Sequence, residues 1–173
     1  MSEHEHWMQE ALAEARKALE KGEVPVGAVV VHGDRVIGRG HNLVETILDP
    51  TAHAEMLAIT SAAATLADWR LQDCSLYVTL EPCPMCAGAI ILSRLKRVIY
   101  GASDPRWGAG GSAFHVLGVN SPDVRVEVVA GVCGEEASAL LRTFFEKLRA
   151  ERRTRDDACG ASSDNQVERC PSG

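Results

Sequence analysis

Leu76-Tyr77-Val78-Thr79-Leu80, running straight into Glu81-Pro82-Cys83-Pro84-Met85-Cys86, turns from a strand into the opening of a helix. The first five residues are aliphatic, aromatic or β-branched, the composition of a buried strand. Pro82 or Cys83 then begins a helix that ends near Arg94, proline being suited to a first helical turn. Arg97-Val98-Ile99-Tyr100-Gly101 reads as the next strand. A strand, helix and strand in succession make a parallel crossover.

Upstream, Trp7, Met8, Ala11, Leu12, Ala15, Ala18 and Leu19 recur at helical spacing, and Gly22 is a natural stop. Val24 to Val31 is a buried strand, His32-Gly33-Asp34-Arg35 a turn, and Val36 to Gly40 its returning partner. Asp49-Pro50-Thr51 is expected to open a helix reaching Ala64, with Asp or Thr as cap. Downstream, Asp104 to Gly111 is a glycine-rich loop, Val124 to Val129 a fifth strand, and Glu135 to about Arg152 a final helix. The order predicts an α/β fold, a three-layer α/β/α sandwich on a central mixed five-stranded sheet. Both middle strand–helix–strand units should be parallel crossovers. One domain is expected over residues 1–153. From 154 to 173 Asp, Ser, Gly and Asn dominate, the composition of a disordered tail.

The 173 residues, 46% hydrophobic and 24% charged, suit one ordinary globular domain. No apolar run approaches the roughly 20 residues of a membrane span. The polar start Met1-Ser2-Glu3-His4-Glu5-His6 does not read as a secretory signal, so a cytoplasmic location and reduced cysteines are expected. A net charge of −6 argues against a protein that coats nucleic acid indiscriminately. A local basic run survives in Arg142, Lys147, Arg149, Arg152, Arg153 and Arg155, either a solvated helix face or an edge that meets phosphates.

Chemistry concentrates in His53-Ala54-Glu55 and Pro82-Cys83-Pro84-Met85-Cys86. Zinc takes nitrogen and sulfur donors in a tetrahedron, and a catalytic site keeps one position for water. His53, Cys83 and Cys86 supply three such donors. Two cysteines three apart at a helix start share one side of its first turn, where backbone N–H groups favour thiolate. Glu55, two residues past His53, is badly placed to ligate the same ion. It is well placed to move protons between water, a ring nitrogen and a leaving amine. Hydrolytic deamination of an amidine-like carbon needs this set. A closed structural site with Cys74 as fourth ligand would leave Glu55 without a task, and a thioredoxin-like redox pair would owe nothing to His53-Ala54-Glu55.

These segments, with Val24-Pro25-Val26-Gly27-Ala28, His41-Asn42, Gly101-Ala102-Ser103-Asp104 and Phe144-Phe145, resemble the cytidine deaminase superfamily of zinc-dependent nucleobase deaminases. Within it the chain is similar to the bacterial tRNA-specific adenosine deaminases from about Trp7 to Arg149. The resemblance implies one Zn2+ per subunit, a homodimer, and conversion of adenosine to inosine at the wobble position of a tRNA anticodon, mainly that of arginine tRNA. It assigns Asn42 to the flipped purine, Asp104 to the target nucleotide, Arg106 to nearby phosphates and Phe145 to the anticodon loop. Three of the four have a structural alternative: a turn cap for Asn42, a loop organiser for Asp104, core packing for Phe145. Two departures stand out. Trp107 replaces a small or polar residue, as a stacking face for a base or a plug at the dimer interface, and Asp123-Val124 replaces Asn-His. The latter and the acidic net charge keep a second substrate class open, free guanine or a related amino-heterocycle. An RNA-binding module with structural zinc is the non-enzymatic alternative.

Overall fold

The computed structural model describes residues 1–118 and 125–160, with side chains to 155. Its elements run α1 (Glu3–Glu20), β1 (Gly27–His32), β2 (Arg35–His41), α2 (Val44–Ile47), α3 (Ala54–Leu66), β3 (Cys74–Leu80), α4 (Pro84–Leu92), β4 (Arg97–Ala102), β5 (Glu127–Val129) and α5 (Gly134–Gly160). The sheet order is β2-β1-β3-β4-β5. β1 is antiparallel to both β2 and β3, while β3–β4 and β4–β5 are parallel, so the sheet is mixed as expected. β2 and β3 point the same way on either side of β1, and α3 and α4 serve as the two crossovers.

Strand alternation sorts the core into two layers. Ala28, Val30, Leu76, Val78, Val98 and Tyr100 face Ala54, Ala58 and Ala62 of α3 and Ala87 and Ile90 of α4. Val29, Val31, Tyr77 and Ile99 face Met8, Ala11 and Leu12 of α1 and Ala137 of α5. The helices approach the sheet closely because glycine and alanine line the contact. A Cβ on Gly27 would stand 2.2 Å from the Ala11 carbonyl oxygen. Cβ atoms on Gly38 and Gly40 would stand 2.3 Å from the carbonyls of Ala58 and Ala54. Those two glycines seat α3, and so its N-terminus, on the sheet.

Some boundaries differ from the reading of the sequence. β1 begins at Gly27 rather than Val24, because Val26 N–H turns back onto the Val24 carbonyl across Pro25. Asp49-Pro50-Thr51 does not open α3: Asp49 Oδ1 accepts from Thr51 N–H (2.8 Å) and hydroxyl (2.7 Å), a local turn that competes with capping. Of the two expected starts of α4, Cys83 holds, as the N-cap with Pro84 in the first turn, and the helix ends at Leu92 rather than near Arg94. β5 is shorter, Glu127–Val129, and Val124 lies outside the described residues together with Asp123. α5 continues past 153 to Gly160, its run of Arg, Glu and Ala favouring helix. Residues 161–173 of the expected tail lie outside the described residues.

Candidate active site

Two helix starts meet at one point. His53 is the N-cap of α3 and Cys83 the N-cap of α4, with Cys86 one turn further on. No side chain of its own caps α3; Asn42, at the end of β2, accepts from Ala54 N–H through Oδ1 at 2.9 Å. Asn42 therefore ties β2 to the start of α3, and is itself buried.

The donor atoms of His53, Cys83 and Cys86 all lie within 4.8 Å of one another and could hold a metal ion. His53 Nδ1 is 3.7 Å from Cys83 Sγ and 3.5 Å from Cys86 Sγ. The Cys83 thiol is lowered to about 4, first by a hydrogen bond from the Cys86 thiol, against burial, with help from His53 and the Cys86 backbone N–H. Sharing that proton and being buried push Cys86 up. The thiolate at Cys83 in turn raises the His53 imidazole, against burial. Glu55 is 4% exposed, and burial pushes its carboxyl up, with its own backbone N–H and His53 opposing.

A cavity of about 560 Å³ opens over this group. His53, Glu55, Cys83, Asn42 and Asp104 line it with the apolar side chains of Val24, Val26, Val44, Leu80, Pro84, Met85 and Trp107, an apolar wall with a few convergent polar groups. The structure thus brings together six of the eight residues expected at the site. Arg106 is exposed on the same loop but does not line the cavity. Phe145 is 41% exposed on α5, whose core contacts lie across the sheet from α3 and α4, so it is neither core nor cavity wall. Asp104 organises the loop as well: its Oδ1 accepts from the N–H groups of Arg106 (2.9 Å) and Trp107 (3.2 Å).

Glu81 was given no role by sequence reading and is the residue that shapes this wall. It is 2% exposed, and its carboxylate accepts from the N–H groups of Asp104 (2.9 Å), Gly110 (3.0 Å) and Ser112 (3.1 Å) and from the Ser112 hydroxyl. Burial would raise this carboxyl, but those donors bring it below the ordinary range. Gly108 and Gly110 are needed beside it; a Cβ on Gly108 would stand 2.3 Å from Glu81 Oε2. The available signal was a carboxylate placed directly after a buried strand, where burial demands partners. Glu23 does similar work across the cavity, accepting from Thr46 N–H (2.6 Å) and hydroxyl (2.7 Å) to hold α2.

Residues 2–149 match the MafB19-like deaminase family. The tRNA-specific adenosine deaminase of Bacillus subtilis (strain 168) is 49% identical over 153 residues, 88% of this chain and 95% of that protein. The chain belongs to the tRNA-specific adenosine deaminase family. Its deaminase activity follows from that membership and from the site. A structure from work on A-to-I editing by tRNA:A34 deaminases at the wobble position of transfer RNA superposes with a TM-score of 0.75 at 43% identity, covering 79% of this chain and 99% of that one. A guanine deaminase from Nitrosomonas europaea superposes with a TM-score of 0.73 at 27% identity, covering 83% of this chain and 85% of that one.

Proposed function

We propose that the chain hydrolyses adenosine to inosine at the wobble position of a tRNA anticodon, chiefly that of arginine tRNA. The observation that carries the chemistry is Glu55, buried in the wall of a cavity of about 560 Å³, ample for a nucleotide, beside three converging metal donors. The metal we assign is zinc, one per subunit. Zinc–sulfur bonds of about 2.3 Å and zinc–nitrogen bonds of about 2.0–2.1 Å at a tetrahedral angle put N and S about 3.5 Å apart; the spacings of 3.5 and 3.7 Å fit. Zinc held there supplies Lewis acidity, which brings the ionisation of a bound water toward neutrality.

Glu55 does the proton work. It accepts a proton from the attacking water and passes it to the ring nitrogen beside the amine-bearing carbon. It then takes the remaining proton of the newly bonded hydroxyl and delivers it to the amine, so that the C–N bond breaks, ammonia leaves and the C–O bond becomes a carbonyl. Asn42, its Oδ1 engaged by Ala54, has its amide N–H groups to offer a purine acceptor. Asp104 bounds the nucleotide from the loop, while Arg106, exposed outside the cavity, suits a flanking phosphate rather than the base. The exposed basic residues Arg142, Lys147, Arg149, Arg152, Arg153 and Arg155 of α5 offer further phosphate contacts.

A homodimer is supported by α4. Its inner face is core, and its outer face of Met85, Gly88, Ala89 and Leu92 carries no charge, with Leu92 75% exposed. A helix apolar all round asks for cover on both sides. Phe145 does not line its own chain's cavity, but Phe144, Lys147 and Leu148 beside it share a small cleft with Leu19 and Gly22, next to the Glu23 and Val24 of the cavity wall, so this stretch of α5 offers an RNA contact near the cavity's edge. No helix among the described residues is long and apolar enough to cross a membrane, and we place the enzyme in the cytoplasm with its RNA.

Free guanine is the second reading, supported by the likeness to the Nitrosomonas europaea enzyme; the higher identity to the tRNA enzymes favours RNA. Incubation with an arginine anticodon stem-loop should produce inosine when adenosine occupies the wobble position and none when guanosine does. Ammonia from free guanine, with no inosine in RNA, would move the chain to the small-molecule branch.

A further inference from the structure

Two aromatic rings at the cavity mouth have no part in the chemistry above. Trp107 lines the cavity wall yet is 59% exposed, and Phe114 is 42% exposed. Their centroids are 6.2 Å apart with planes 25° from parallel, so Phe114 backs the indole. The pair is held by backbone hydrogen bonds on both sides. Trp107 N–H donates to Asp104 Oδ1, Phe114 N–H to the Gly108 carbonyl at 2.8 Å, and Glu81 anchors Asp104 before the two rings and Gly110 and Ser112 between them. A pair so fixed has little ordering left to lose when something binds it.

Resting on the reading of the chain as an RNA deaminase, we propose that Trp107, supported by Phe114, is a stacking platform for the nucleobase that adjoins the deaminated one. A strand that turns one base into the cavity carries the neighbouring base past the rim, and that neighbour has just lost a stacking partner. An indole offers it a flat apolar face, the usual means by which proteins hold unstacked bases. Arg106, the preceding residue, is exposed for the phosphate between the two nucleotides. The surroundings fit one base better than a protein partner. Arg106, Ser112, Ala113 and His115 around the rings are exposed and small or polar, whereas a protein contact needs a broad patch.

The test measures binding rather than turnover. Full-length protein carrying Glu55→Gln is titrated against a fluorescent anticodon stem-loop, intact or with an abasic residue on either side of the wobble adenosine. Trp107→Ala should weaken binding of the intact RNA about tenfold. Removing the stacked base from one of the two neighbours should cost about as much, and both changes together no more than either alone. Trp107→Phe should recover most of the affinity. Additive losses, or a Trp107→Ala protein that binds as tightly as its parent, would overturn the platform while leaving the RNA reading intact. A Trp107→Ala protein whose sedimentation shifts from dimer to monomer would assign the ring to a second copy and overturn it too. Absence of saturable binding to any of these RNAs would remove both readings.

Discussion

Cys86 shows how little freedom a metal ligand has in this fold. It is fully buried, within 3.5 Å of His53 Nδ1, and hydrogen-bonded to the Cys83 sulfur. Cys86→Ala removes one of three donors without disturbing the helix, alanine being the best helix former. The variant should fold and retain less than about a tenth of the bound zinc, read by metal analysis after dialysis; full zinc occupancy would remove Cys86 from the ligand set. The residues that meet at this point were legible in advance because the chemistry constrains their types and their places at two helix starts. Asn42 was legible only in part, since its bond to Ala54 joins segments twelve positions apart. Glu81 was not legible as an organiser, because its partners come from a loop more than twenty positions downstream.

The elements were read correctly wherever a long apolar pattern had a single period, as in α1, β3 and β4. They were misread where a side chain from elsewhere completes the backbone. The start of α3 was assigned to Asp49 and Thr51, which satisfy each other, while Asn42 supplies the cap from the end of β2. The single turn of α2 was missed because Glu23 holds it from outside. The seat of α3 is equally non-local and can be tested. Gly40→Ala places a Cβ 2.3 Å from the Ala54 carbonyl oxygen and 2.7 Å from the Ala58 nitrogen, both backbone atoms that cannot swing aside. Overpacking of this kind costs about 1–3 kcal/mol, and in a domain of this size that lowers Tm by about 3–10 °C. Since α3 carries His53 and Glu55, deaminase activity should fall alongside. A Tm within about 1 °C of the parent in a thermal circular-dichroism scan would show that α3 is not seated on β2 in this way.

At the scale of the molecule, the sheet divides its duties. One layer, α3 and α4, presents both helix starts of the site, and the other, α1 and α5, closes the second core. The layered α/β/α order could be read from the succession of strands and helices, but the outer face of α4 could not. Apolar residues on a short helix look like core from sequence, whereas Leu92 stands 75% exposed. Leu92→Asp should leave the monomer fold intact, because the side chain has no core contact to lose, and should split the dimer. Light scattering at micromolar concentration should then give a monomer where the parent gives a dimer. An unchanged dimer would place the interface elsewhere.

The most direct test of the central claim joins zinc content to RNA turnover in one variant. Glu55→Gln keeps the size and burial of the side chain and removes only its capacity to carry a proton. With an arginine anticodon stem-loop bearing adenosine at the wobble position, the parent should form inosine, and Glu55→Gln should form it at least about 10²-fold more slowly with the same zinc per subunit. Inosine formation by Glu55→Gln at the parental rate would contradict the mechanism proposed for this site.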